Sequence, residues 1–202
     1  YGLFAINSNC TVRSNNSVIN VYKKKNIKSK VVTQLLYGDT FKKLKKNGVW
    51  IKIKNDKDNY KGHIKNKNFQ PNQKNTHKIC NLSAALYSKP HSKYKIKNKL
   101  SFESKIKVLE KKGDFYKFDH LWIKKRDLKK INVITKNPFY SIKKFVNVKY
   151  KWGGKHFSGI DCSGLIQLFF NYNNKFCPRD AKDQIKYFKK KIELRNIRKN
   201  DL

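Results

Sequence analysis

Methionine is absent from the 202 residues, and alanine (4), proline (4) and glycine (9) are scarce. Collagen-like repeats and Pro/Gly-rich low-complexity chains are thereby excluded. The longest apolar stretch, residues 165–170, is broken by Gln167. It falls far short of the roughly 20 residues a helix needs to cross a bilayer, so no membrane span is expected. The four cysteines, Cys10, Cys80, Cys162 and Cys177, are far apart and form no CxxC pair. A disulfide framework, a zinc ribbon and a thioredoxin motif are excluded on that ground, and neither metal nor cofactor is expected. Acidic residues are few: 13 Asp and Glu against 49 Lys and Arg, a formal charge of +36.

That charge has a compositional explanation. Lysine supplies 44 of the basic residues and arginine only 5; asparagine (23) and isoleucine (18) are abundant where alanine, proline and glycine are rare. Residues with A/T-rich codons are over-used and those with G/C-rich codons under-used, which an A/T-biased genome accounts for. The lysines are also spread along the chain, whereas a nucleic-acid reader concentrates charge on one face and uses arginine for bidentate contacts. No specific nucleic-acid partner is expected, although polyanions will be attracted at low salt. With 38% hydrophobic and 13% aromatic residues, there is enough apolar material for packed cores.

An internal repeat organises the first two thirds. Val21-Tyr22 matches Leu86-Tyr87, Leu35 matches Leu100, and Phe41-x-x-Leu44 matches Ile106-x-x-Leu109, all 65 residues apart. The stretch from Gly48 through Trp50 to Ile53 matches that from Gly113 through Phe115 to Phe118. Ile64 then matches Ile123 and Phe69 matches Leu128 at an offset of 59, so the second copy has lost six residues, most simply from the loop at residues 55–59. Two copies of one supersecondary unit are indicated. Trp50-Ile-Lys-Ile53 and Tyr116-Lys-Phe118 alternate as strands do, and Gly48 and Gly113 stand where hairpin turns belong. Units of this length with several short strands are expected to be small β-barrels. Residues 31–39, Trp50-Ile-Lys-Ile53 and Tyr60-Lys-Gly-His-Ile64 resemble a bacterial SH3-type domain, and residues 86–128 a shorter relative. Such domains accompany cell-wall enzymes; the alternative for each is a spacer or packing partner.

Residues 129–136 form a connector. Asn137-Pro138 then has the form of a helix start, and Phe139, Ile142, Phe145 and Val146 share one face, so a helix of about ten residues is expected.

The chemistry-bearing residues lie between 150 and 184. Gly153, Gly154 and Gly159 precede Cys162 and Gly164 follows it, in a chain otherwise poor in glycine. Asp161 is a candidate N-cap, which places Cys162 in the first turn of a helix with Leu165, Ile166 and Phe169 on the same face. The unpaired N–H groups of a helix start favour an anion, and a thiolate, not a thiol, attacks carbonyl carbon. A buried structural cysteine is the usual alternative on such a face. Residues 178–184 resemble a second helix start, with Asp180 as cap, Asp183 in the first turn and lysines 189–191 at its end.

Tyr150-x-Trp-Gly-Gly, Gly159-Ile-Asp-Cys-Ser-Gly-Leu and Pro178-Arg-Asp-Ala-x-x-Gln184 closely resemble the NlpC-type cell-wall peptidases, which are papain-like cysteine peptidases. The resemblance covers residues 137–202. Two SH3-type domains ahead of it resemble the γ-D-glutamyl-diamino-acid endopeptidase branch. The resemblance implies hydrolysis of peptidoglycan stem peptides (L-Ala-γ-D-Glu-diamino acid) at the bond between γ-D-glutamate and the diamino acid. It assigns the nucleophile to Cys162, an oxyanion-stabilising hydroxyl to Tyr150, and the binding of the substrate's free N-terminal amine to Asp161 and Ser163. Asp56, Asp58 and Tyr60 of the first SH3-type unit are further candidates for that amine. A cytoplasmic recycling enzyme and an envelope remodelling enzyme both fit.

One departure stands out. The family's activating histidine lies beyond the cysteine, and none follows Cys162; the five are His63, His77, His91, His120 and His156. His156 occupies a variable loop position and is read as a surface residue, and Cys177 is given no role. Residues 198–202 resemble the entry to the family's catalytic sheet. The chain is therefore read as a fragment incomplete at both ends, with the histidine beyond Leu202, and is expected to be nearly inactive alone. The expected fold is α+β: SH3-like barrels at 1–72 and 78–130, then the N-terminal helical part of an NlpC-type domain at 137–202. A non-catalytic wall-binding protein or pseudoenzyme is the alternative.

Overall fold

The computed structural model describes residues 11–67, 69–189 and 194–196. The fold is α+β: mostly sheet, with two α-helices near the C-terminal end.

The first unit has seven strands: β1 (Thr11–Arg13), β2 (Val18–Tyr22), β3 (Val31–Leu36), β4 (Thr40–Asn47), β5 (Trp50–Asn55), β6 (Lys61–Lys65) and β7 (Gln70–Pro71). They form one sheet in the order β3-β2-β6-β5-β4-β1-β7. Alternation decides the facing of β5: Ile51 and Ile53 are buried with Val21, Leu35, Phe41 and Ile64, while Lys52 between them is exposed. The β4–β5 turn needs Gly48, whose φ of +56° L side chains rarely adopt.

The second unit follows with β8 (His77–Ile79), β9 (Ser83–Tyr87), β10 (Lys95–Ser101), β11 (Lys105–Ile106), β12 (Glu110–Lys112), β13 (Phe115–Phe118), β14 (Leu121–Lys124) and β15 (Leu128–Lys130). Its sheets run β10-β9-β14-β13-β12 and β11-β8-β15. This is the strand order of the first unit with β4 split into β11 and β12. The split falls at residues 107–109, which the 65-residue offset matches to 42–44, overlapping the register shift in the β4–β5 pairing at residues 43–45. Matched positions share their environments: Leu35 and Leu100, Phe41 and Ile106, and Ile64 and Ile123 are all buried, whereas Leu44 and Leu109 are both exposed. Gly113 repeats the positive φ of Gly48, at +54°.

The remaining elements are a short hairpin, β16 (Lys155–His156) with β17 (Gly159–Ile160), and the helices α1 (Cys162–Tyr172) and α2 (Ala181–Phe188). Their core is shared. Phe145, Ile160, Leu168, Phe169 and Tyr172 bury themselves against Leu36 of the first unit and Phe102 and Cys80 of the second. Phe102 stacks on Tyr172 with ring centroids 4.6 Å apart. Among the described residues no helix is long and apolar enough to cross a membrane.

Two expectations are corrected. The segment after Asn137 is not an α-helix but a run of turns ending in a 3-10 helix at Ile142–Phe145. The Asn137 side chain accepts from the Phe139 N–H, closing a local turn that competes with a helix. Only Phe145 of the four apolar residues is buried, and Ile142 and Val146 face solvent. His156, read above as a surface residue, is 7% exposed. Its Nε2 lies 3.2 Å from Ser17 Oγ of the first unit and its Nδ1 2.8 Å from Ser158 Oγ.

Burial, and secondarily the Lys151 cation, pushes the His156 imidazole down to about 4 from an ordinary 6.5. An unfolded chain therefore takes up this proton near pH 6.5 while the folded one refuses it until about pH 4. Stability from this site is complete above pH 6.5 and is lost as the pH falls toward 4. In urea unfolding across that range, His156→Gln is expected to remove a loss of about 3 kcal/mol; identical pH slopes in the two proteins would contradict the assignment.

Candidate active site

The site is built at the start of α1. Asp161 is its N-cap: extended backbone, with the carboxylate accepting from the Gly164 N–H at 2.7 Å. Cys162 is the first helical residue, and its side chain is exposed. The buried residues of α1 are Ser163, Gly164, Gln167, Leu168, Phe169, Asn171 and Tyr172. Of the face read through Cys162, Leu165, Ile166 and Phe169, Phe169 is buried, Leu165 and Ile166 are half-buried, and the thiol at the helix start is left in solvent. Cys80 and Cys177, by contrast, are buried, and burial pushes both thiols up, Cys177 to about 12.

Cys162 opens into a cleft of about 440 Å³. Tyr150, Trp152 and Asp180 line it from the same part of the chain, and Tyr60 and Lys30 from the first unit. Tyr150 and Trp152 are mostly exposed. They are held by the segment that runs beside β17, where the Ile160 N–H donates to the Lys149 carbonyl and the Lys151 N–H to the Ile160 carbonyl. Gly153 turns this segment at φ +71°, and a Cβ there would stand 2.4 Å from the Val31 carbonyl oxygen. Only glycine lets the two backbones meet.

Arg179 is the residue the sequence reading left without a role. It is 3% exposed and pairs with Asp161 through two bonds, Nη2 to Oδ2 at 2.7 Å and Nη1 to Oδ1 at 3.1 Å. Nη1 also donates to Ser163 Oγ at 2.9 Å, and Nε to Thr33 Oγ1 of β3 at 2.9 Å. Asp161 accepts in addition from the Gly153 and Gly164 N–H groups, which fills the roughly four acceptor sites of a carboxylate. A signal was present: arginine is rare in this chain, and a planar five-donor fork does what lysine cannot.

Asp180 is occupied differently. It stands at the N-cap of α2 without a side-chain capping bond, and its oxygens accept from the Tyr60 hydroxyl at 3.1 and 3.2 Å. Burial and the Asp180 charge push the Tyr60 phenol up to about 12, so it remains a donor. Asp58 reaches α1, where its Oδ2 accepts from Gln167 Nε2 at 2.9 Å. Asp56 is exposed and lines no part of the cleft. Cys162, Tyr150, Asp161, Ser163 and Tyr60 are thus brought together, and Asp56 is not. Among the described residues the cleft contains no histidine, and no cluster of His, Cys, Asp or Glu could hold a metal ion. Cys10, lysines 190–191 and residues 198–202 lie outside the described residues.

A solvent-facing thiol at a helix start, in a cleft walled by a β-unit from the same chain, defines the class of site. Residues 147–202 match the NlpC/P60 family, and residues 17–70 match the bacterial SH3 domain. The chain therefore carries a bacterial SH3 domain and an NlpC/P60 region. It is similar in fold to an NlpC/P60 family protein from Bacillus cereus, at 18% identity and a TM-score of 0.75, over 87% of this chain and 76% of that one. NlpC2 and NlpC1 from Trichomonas vaginalis match at 18% and 17% identity with TM-scores of 0.36 and 0.34, covering 88% and 91% of this chain and 71% and 69% of theirs. No curated protein sequence matches.

Removing the cation from the buried pair should cost more than removing both charges. Arg179→Met is expected to destabilise the fold by about 3–5 kcal/mol, and the Arg179→Met/Asp161→Asn double variant by clearly less than the sum of the single losses. Denaturant unfolding reads both; additive losses would mean that the pair does not act as a unit.

Proposed function

We propose that the chain is the cleft-bearing part of a cysteine endopeptidase acting on peptidoglycan stem peptides, at the bond between γ-D-glutamate and a diamino acid. The observation that carries this reading is the exposed Cys162 thiol at the start of α1, facing the same cleft as Tyr150, Tyr60 and Asp180. The repeated strand order supports reading the second unit as a shorter SH3-type domain, with units at residues 1–72, 78–130 and 137–202.

In the proposed reaction the Cys162 thiolate attacks the γ-carbonyl carbon. The carbonyl π electrons move onto oxygen, and the Tyr150 hydroxyl donates to the resulting oxyanion. Collapse expels the diamino acid's amino group, which takes up through solvent the proton that the thiol released on ionising, and leaves a thioester; water hydrolyses this to the γ-carboxylic acid and returns the Cys162 thiol. Asp161 and Ser163 build the amine-binding end of the cleft. Asp161 is already saturated by Arg179 and two backbone N–H groups, so Asp180, whose side chain among the described residues takes only the Tyr60 hydroxyl, is the cleft carboxylate with capacity left for an ammonium group.

The lack of a histidine among the described cleft residues favours a second reading, a wall-binding protein that holds the peptide without cleaving it. Both readings require the peptide to cover Cys162. Iodoacetamide is expected to label Cys162 at least about tenfold faster than the buried Cys80 and Cys177, and L-Ala-γ-D-Glu-diaminopimelate to slow that labelling. Slow release of L-Ala-γ-D-Glu that disappears in Cys162→Ala supports the peptidase; protection with no release in either protein supports the binder. A thiol that labels at the same rate with and without the peptide would sink both.

The amine assignment has its own test. Asp180→Asn is expected to weaken the free-amine tripeptide by about tenfold while leaving its N-acetyl derivative unchanged. Equal effects on the two peptides would move the amine site elsewhere.

A further inference from the structure

The second unit contributes none of the residues that line the cleft, yet one of its side chains reaches the loop that does. That loop, residues 56–60 between β5 and β6, sends three side chains in three directions. Tyr60 donates to Asp180 at the cleft, and Asp58 accepts from Gln167 of α1. Lys57 points the other way. Its Nζ lies 2.5 Å from Asp39 Oδ1 and 2.6 Å from Glu103 Oε1 of the second unit, and both carboxylate side chains are fully buried.

Buried carboxylates persist only where cations meet them. Lys105 Nζ also approaches Glu103, at 3.4 Å, and the Lys105 N–H donates to the Tyr37 carbonyl across the same junction. Attraction to the two carboxylates holds the Lys57 ammonium charged, well above the ordinary lysine range, against the opposing effect of burial. Glu103 itself sits at φ +73°, a backbone conformation that costs a non-glycine residue energy and persists where the surroundings over-determine it. Its N–H is spent on the Ile79 carbonyl. The strained residue is therefore anchored inside the second unit, and its carboxylate is shared between Lys105 of that unit and Lys57 outside it.

We propose that Glu103 is a positioning residue for the cleft: through Lys57 it fixes the 56–60 loop, and so holds the Tyr60 hydroxyl on Asp180. Asp39 belongs to the same unit as the loop and can hold it only to its own sheet. Glu103 adds a tie to a second body, on the side of the loop opposite the Asp58 bond to Gln167 of α1. The inference rests on the reading of the cleft as a stem-peptide site.

The test is the affinity of L-Ala-γ-D-Glu-diaminopimelate and of its N-acetyl derivative, each measured as protection of Cys162 from iodoacetamide. In Glu103→Gln the preference for the free amine is expected to fall by about tenfold, with the acetylated peptide unchanged. Added to Tyr60→Phe, Glu103→Gln is expected to cause no further loss. A preference within twofold of the unsubstituted protein, or equal losses for both peptides, would overturn the proposal, because a merely structural residue weakens both alike. Should Glu103→Gln fail to fold, Lys57→Met cuts the same link from the other side and the same ratio decides. If neither peptide protects Cys162 in the unsubstituted protein, the reading of the cleft fails, and that outcome is distinct from protection without selectivity.

Discussion

The arrangement of the cleft depends on one buried ion pair. Arg179 and Asp161 are 18 residues apart, and between them they touch the start of α1, the segment that carries Tyr150 and Trp152, and β3 of the first unit. Asp161 caps α1 and takes the Gly153 N–H, so it fixes both the helix start and the segment carrying Tyr150 and Trp152. Arg179 holds Ser163 and reaches Thr33 in β3, which ties the helix to the first unit. Burying the pair costs solvation on both sides, and the four hydrogen bonds from Arg179, Gly153 and Gly164 to the carboxylate and the fork geometry of the guanidinium offset that cost. What results is geometric definition: a helix start whose first side chain projects into a cleft.

The three parts of the chain are joined by polar contacts of the same kind, not by apolar packing alone. Arg13 pairs with Asp119 across the first and second units, with Nη2 to Oδ1 at 2.9 Å, and Tyr37 donates to the same carboxylate. His156 reaches Ser17, and the Lys155 N–H donates to Gln34. Apolar surfaces can slide over one another at little cost; directed bonds between buried partners fix one arrangement. A cleft whose walls come from two units requires that kind of definition, because a displacement of about 1 Å is enough to misplace a reacting group.

Local pattern made the β-units readable. Strand alternation, the two turn glycines and a fixed 65-residue offset are properties of neighbouring residues, and the structure places the matched positions in matched environments. The start of α1 was readable for the same reason, since a cap and its helix lie within one turn. Arg179 was not readable as a partner of Asp161, nor His156 as buried, because each depends on which surfaces of distant segments meet. The expected helix after Asn137 failed where a local side-chain bond closed a turn and the apolar stripe had no continuous surface to cover. Periodicity shows which face could be buried, and burial then depends on whether another element is there to receive it.

The lysine excess divides along the same line. Most lysines sit in solvent, as in β4, and a compositional bias accounts for them. A few do not. Lys78 is fully buried; its ammonium donates to the Val133 and Tyr172 carbonyls and lies 4.2 Å from the Tyr172 ring centroid, and burial lowers it to about 8. Lys155 is fully buried near the Asp39 and Glu103 carboxylates, with burial pushing it down and those charges pulling it up. Codon bias can supply a lysine at such a position; two carbonyls hold the Lys78 ammonium there, whereas the Lys155 Nζ makes no hydrogen bond among the described residues and meets only the nearby carboxylate charges. The scarcity of acidic residues sharpens the point. Of 13 carboxylates in the whole chain, Asp39, Glu103, Asp119 and Asp161 are committed to pairs inside or between the units. In a chain so rich in cations, the buried anions determine which lysines and arginines do structural work.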